Sequence, residues 1–126
     1  CELGLADNVI FTGKVNRREV QALYEAADCF VMPSLSEPFG LVALEAIAHR
    51  TPVIISKQSG VAEVLDHAFK IDYWDADLMA DCIVTILREQ PLAEQLKAEA
   101  PRVLQRLTWK NQASAVQSIY RDLIQS

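Results

Sequence analysis

Histidine, cysteine and clustered positive charge are all scarce in this 126-residue chain, which carries two His, three Cys and a formal net charge of -5 at pH 7. His49 and His67 are unpaired in sequence and the acidic residues are scattered, so no metal-ligand spacing emerges. Cys1, Cys29 and Cys82 are odd in number, far apart and mostly set in apolar segments. They read as buried thiols in a reducing compartment, as expected of a cytoplasmic protein, better than as a disulfide framework or a metal site. No run of Lys or Arg exceeds Arg17-Arg18, and with a negative balance this excludes broad contact with nucleic acid. No stretch approaches the roughly 18 apolar residues of a membrane helix, and none reads as a signal peptide. Internal repeats, long linkers and low-complexity tracts are absent as well.

What is present is a hydrophobic content of 51%, enough for one domain with a real core. Four short β-rich runs, Val9 to Phe11, Cys29 to Met32, Val53 to Ile55 and Phe69 to Ile71, alternate with helical segments at the spacing of βα units in a parallel sheet. Glu19 to Ala27 places Val20, Leu23, Tyr24 and Ala27 on one helical stripe. Pro33 stops the second run, a helix follows over Gly40 to His49, and Thr51-Pro52 turns the chain into the third run. Ser59-Gly60 opens a short helical segment with Val61, Ala62, Glu63, Val64 and Leu65. Asp75 or Asp77 caps a helix bearing Leu78, Met79, Cys82, Ile83, Ile86 and Leu87. Pro91 starts the next, with Leu92, Leu96 and Val103 inward. Thr108 caps the last, which carries Ala113, Val116, Ile119, Tyr120 and Leu123. Trp74 and Trp109, beside these caps, read as packing residues.

The segment from Ser36 to Ala46 is where local stability gives way to something else. Every residue from Leu41 to Ala48 except Glu45 is apolar, so the helix is expected to be covered on most of its circumference. A charge there is costly without a partner. Glu45 either occupies a narrow solvated strip or grips a ligand. Gly40, lacking a Cβ, lets a ligand approach the backbone where first-turn amides are free to bind an anion, and Pro38 stiffens the approach. Parallel strands would put the loop at Glu37 and the loop at Ser59-Gly60 on one edge of the sheet, beyond the strand C-termini.

Taken with Val9-Ile10-Phe11-Thr12-Gly13, Ala27 to Ser34 and Thr51-Pro52-Val53-Ile54, the Glu-Pro-Phe-Gly motif and the second Glu eight positions on give a specific resemblance. The chain resembles, over nearly all its length, the C-terminal domain of a retaining glycosyltransferase of the glycogen-synthase and sucrose-synthase type, group 1 or family 4. The resemblance implies an α/β fold: a Rossmann-like parallel sheet flanked by helices, the C-terminal half of a two-domain GT-B fold, with a helical C-terminus. Residues 1–126 would be the donor-binding domain without its first strands and without the N-terminal acceptor domain. The lack of an initiator Met at Cys1 agrees with an excised piece of a longer chain.

By the same resemblance, Glu37 is the catalytic residue that contacts and orients the transferred sugar. The backbone of Phe39, Gly40 and Leu41, following Pro38, meets sugar hydroxyls and diphosphate, and Glu45 binds both ribose hydroxyls, a diol that suits a carboxylate's paired acceptors. Ser59, Gly60 and Glu63 match a second donor-binding loop, though relatives often have Gly-Gly at 59 and 60, and Glu63 also fits an ordinary surface position. Lys57 either neutralises phosphate or is solvated, and His67 has no visible catalytic partner. Arg50 stands where relatives usually have Gly.

The implied partners are a nucleotide-diphosphate sugar donor and a saccharide or other hydroxyl acceptor. The acceptor, the basic pair that grips diphosphate and any peripheral membrane association fall to absent segments, and no cofactor or metal is expected. The fragment alone is expected to be inactive. The rivals are a non-catalytic nucleotide-sugar-binding or scaffold module of the same fold, and an isomerase or phosphorylase on the same plan.

Overall fold

The structure, a computed structural model, describes residues 3–35, 40–66 and 68–125, with the side chains at 109–112 and 115 also outside the description. Three parallel strands form its sheet: β1 (Phe30–Met32), β2 (Val53–Ser56) and β3 (Phe69–Ile71), in the order β1-β2-β3. Phe30 pairs with Val53 and Ile54 with Phe69, so the middle strand is shared by both ladders. All four residues of β2 are buried, as a central parallel strand covered on both faces requires.

Helix α1 (Arg17–Ala26) begins at a capping box: Asn16 Oδ1 accepts from the Glu19 amide at 3.0 Å, and Glu19 Oε2 accepts from the Asn16 amide at 2.7 Å. Helix α2 (Leu41–Ala48) joins β1 to β2, and a short 3-10 turn, Gly60–Glu63, lies between β2 and β3. Helices α3 (Ala76–Arg88), α4 (Gln90–Arg106) and α5 (Trp109–Gln125) follow. Asp75 is the cap of α3, its carboxylate accepting from the Leu78 amide at 2.9 Å.

Alternation along β2 divides the interior in two. Val53 and Ile55 face a cluster built with Tyr24, Ala43, Ala46, Ile47, Leu65 and the end of α4 at Ala100 and Val103. Ile54 faces the opposite side, where Ile71, Cys82, Ile86 and Ala93 pack. Helix α4 therefore contributes to both clusters, Ala93 on one side of the sheet and Val103 on the other, and it does so with Pro101 in its interior.

Three expectations are corrected. The run Val9 to Phe11 is extended at Val9 but is no strand, and Phe11 is 94% exposed. Among the described residues no strand lies beside it, and strand identity depends on a hydrogen-bonded neighbour, not on β-branched composition alone. Helix α2 is covered on one face only: Ala43, Ala46 and Ile47 are buried, while Leu41, Val42, Glu45 and Ala48 are open. Trp74 is 64% exposed and stands edge-on to Tyr73 instead of packing into the core. Along α5, Val116, Ile119, Tyr120 and Leu123 are exposed. The Cys82 thiol is buried and Cys29 half-buried; in both, burial first and neighbouring Asp charge second push the thiol pKa up.

Candidate functional site

Parallel pairing sends the loops after β1, β2 and β3 to a single edge of the sheet. At that edge α2 opens on Gly40, whose backbone is left-handed at φ 71 and ψ 45 and which has no side-chain cap. Only glycine is unstrained there. The position is also closed to a side chain, since a Cβ on Gly40 would lie 2.7 Å from Val61 Cγ1 and 3.2 Å from Met32 Cε. The α2 start is thus seated on the Gly60–Glu63 turn.

One turn further on, Glu45 lies on the open face of α2 and lines a cavity of about 420 Å³ between α1 and α2. Arg17, Gln21, Tyr24 and His49 are among its other walls. The carboxylate of Glu45 is near enough to Tyr24 to reinforce the upward shift of the phenol pKa that burial chiefly causes. Tyr24 is fixed by edge-on contact with Phe30 and by stacking on His49, whose Nδ1 lies 3.4 Å from Glu25 Oε1. A floor of stacked rings with a carboxylate and a guanidinium at its rim offers an aromatic surface, two acceptors and a forked donor to one ligand.

The other expected site residues divide. Glu37, Pro38 and Phe39 lie outside the described residues, as does His67. Ser59 is buried and turns its hydroxyl inward, donating to the Ser56 carbonyl at 2.8 Å. Gly60 opens the 3-10 turn and Glu63 ends it, exposed. None of Ser59, Gly60 and Glu63 is among the cavity's lining residues, while Gly40 meets their turn through Val61. Lys57 places Nζ 3.4 Å from Asp72 Oδ2, and Gln58 bonds the other oxygen of the same carboxylate at 3.1 Å. No group of three or more metal-binding side chains occurs among the described residues, nor is any helix there long and apolar enough to cross a membrane.

Arg17, Gln21, Tyr24 and His49 were not picked out as site residues in the sequence. The capping box Asn16-Arg17-Arg18-Glu19 is the signal that could have found Arg17, because it fixes where α1 begins and so which residue stands at the cavity rim.

Three parallel strands flanked by helices, with the loops after them gathered at one edge, define a Rossmann-like architecture, and the cavity runs beside that sheet between α1 and the middle and end of α2. Residues 1–103 match the family Glycosyl transferases group 1, and the chain belongs to that family. Its fold is that of a GT-B half-domain: sucrose-phosphate synthase from Thermosynechococcus elongatus superposes with a TM-score of 0.79 at 34% identity, over 98% of this chain and 32% of that one. An uncharacterised glycosyltransferase of Methanocaldococcus jannaschii is 34% identical over 125 residues, 95% of this chain and 32% of its own length. Glycogen synthase of Mycobacterium tuberculosis is 38% identical over 117 residues, covering 87% of this chain and 28% of the enzyme. D-inositol 3-phosphate glycosyltransferase of Corynebacterium diphtheriae is 32% identical, covering 95% and 29%. The chain therefore spans about a third of the length of these relatives.

Proposed function

We propose that residues 1–126 are the donor-binding domain of a retaining glycosyltransferase that moves a sugar from a nucleotide-diphosphate sugar to a saccharide or other hydroxyl acceptor. The observation that carries this is Glu45: its side chain stands on the open face of α2, at a cavity shared with Arg17, one turn into a helix that starts on a glycine. In this role Glu45 accepts from both ribose hydroxyls. The amides at Gly40 and Leu41 meet the diphosphate, helped by the positive end of α2.

Glu37 orients the sugar, Pro38 and Phe39 shape the approach, and Gly60 and Glu63 serve from the second loop, with Ser59 holding that loop by its inward hydroxyl. Transfer with retention builds positive charge on the sugar and negative charge on the leaving diphosphate, and a fixed dipole at the helix start stabilises the latter without reorganising. Acceptor binding belongs to the remainder of a longer protein, along with any association with a membrane surface.

The test is calorimetric titration of the full-length protein with UDP, GDP and ADP and their glucose and mannose derivatives. Saturable binding of one nucleotide series, with release of the nucleoside diphosphate from its sugar derivative on addition of a hydroxyl acceptor, is expected. Failure of all three series to bind removes the proposal.

A further inference from the structure

Two connections tie the loop after β1 to the loop after β2. Ser56, the last residue of β2, is fully buried, and its Oγ donates to the Ser34 carbonyl at 2.5 Å. Ser59 extends the chain of hydroxyls by donating to the Ser56 carbonyl. Val61, also fully buried, closes on Gly40 from the other side, leaving no room there even for a methyl group. Ser34 lies near the start and Gly40 at the end of the stretch between β1 and α2. A single six-residue stretch, Ser56 to Val61, thus touches both flanks of that stretch.

Packing alone does not call for this arrangement. A buried hydroxyl is tolerated because it is bonded, and Ala at 56 would fill a β-strand core position without that demand. The body of α2 has its own anchorage, through Ala43, Ala46 and Ile47 against the sheet side of the core. What Ser56 and Val61 add is control of where the chain enters the helix.

We propose that Ser56 and Val61 are positioning residues for the diphosphate end of the donor site, fixing the Ser34 carbonyl and Gly40 and through them the direction of the first-turn amides of α2. This rests on the donor-binding proposal above. The two ends of the ligand are then held by separable means. Glu45 depends on the anchored body of α2, whereas the amides depend on the support beneath Gly40.

The test uses the full-length protein and the nucleotide series that the wild type binds, comparing the nucleoside with its diphosphate. The ratio of the two dissociation constants reads the diphosphate contribution alone. Ser56→Ala and Val61→Ala are each expected to shrink that ratio about fivefold, the effect of one lost hydrogen bond or contact. Turnover should fall about tenfold through misorientation, while nucleoside affinity changes by less than about twofold. Ser56→Thr, which keeps the hydroxyl, should leave the ratio at its wild-type value.

If Ser56→Ala loses nucleoside binding too, Ser56→Cys, which keeps the volume and weakens the bond, is read in its place. An unchanged ratio in that variant and in Val61→Ala overturns the inference while donor binding stands. A wild type that binds no nucleoside diphosphate removes the donor proposal and this inference with it.

Discussion

The hydroxyl of Thr51 donates to the main-chain carbonyl of Tyr24 at 2.6 Å, across 27 residues of sequence and out of reach of solvent. It satisfies one of the last carbonyls of α1, which the helix itself leaves without a full partner, and so joins the end of α1 to the entry of β2. Thr51→Val keeps the shape and removes the donor. The expected loss is about 1–2 kcal/mol, read as a lower urea midpoint with an unchanged slope. An unaltered midpoint would mean that the Tyr24 carbonyl is served elsewhere.

Arg50 is the single described non-glycine residue with a left-handed backbone, at φ 58. The reason is how α2 ends: the Thr51 amide bonds the Ala46 carbonyl at 3.0 Å and the Arg50 amide bonds that of Ile47 at 2.9 Å, the pair that defines a Schellman ending. Left-handed geometry costs an L-residue about 1–2 kcal/mol, partly offset because glycine loosens the unfolded chain. Arg50→Gly is therefore expected to stabilise by about 0.5–1 kcal/mol and to raise the thermal midpoint by a few degrees in calorimetry.

Glu45 is exposed, and among the described residues its carboxylate makes no hydrogen bond comparable to that of Thr51 with Tyr24. Glu45→Gln should leave the melting temperature within about 1 °C, as surface substitutions do. It should weaken nucleoside binding about tenfold, the effect of losing charge-assisted bonds to two hydroxyls. Retained affinity would take Glu45 out of the ligand's reach.

Cys29 and Cys82 have their thiols held protonated by burial, with nearby Asp charge in support. A raised thiol pKa lowers the thiolate fraction at every pH below it, so both should alkylate slowly in the folded protein and at ordinary thiol rates once urea unfolds it. Raising the pH from 7 to 9 should speed the reaction of both. Rapid modification of Cys82 at pH 7 in the folded state would contradict its burial.

The parallel sheet was legible because apolar runs such as Val53 to Ile55 were bounded by turn residues at βα spacing, and the α3 cap was legible only as Asp75 or Asp77, between which the bond to the Leu78 amide selects Asp75. The chemistry at Glu45 was legible as a single charge in an apolar helix, but not the degree of its exposure: apolar composition from Leu41 to Ala48 said nothing of which neighbours would cover it. Val9 to Phe11 failed for the converse reason, since a strand needs a partner that composition cannot supply. The cavity walls at Arg17, Gln21, Tyr24 and His49 come from two helices brought together by the Thr51 bond and by rings stacked across them. Such pairings across more than twenty residues leave no local pattern to read. Pro101 was silent for a simpler cause: a helix held on both sides of the sheet tolerates one absent amide.

That two-sided hold of α4 has a consequence for how the domain comes apart. With one end of the helix bedded beside Ala93 and the other beside Val103, neither flank of the sheet can be laid bare without drawing the same rod out of the other. Melting is thereby made a concerted event, and a nick midway along the rod would undo both flanks at a stroke.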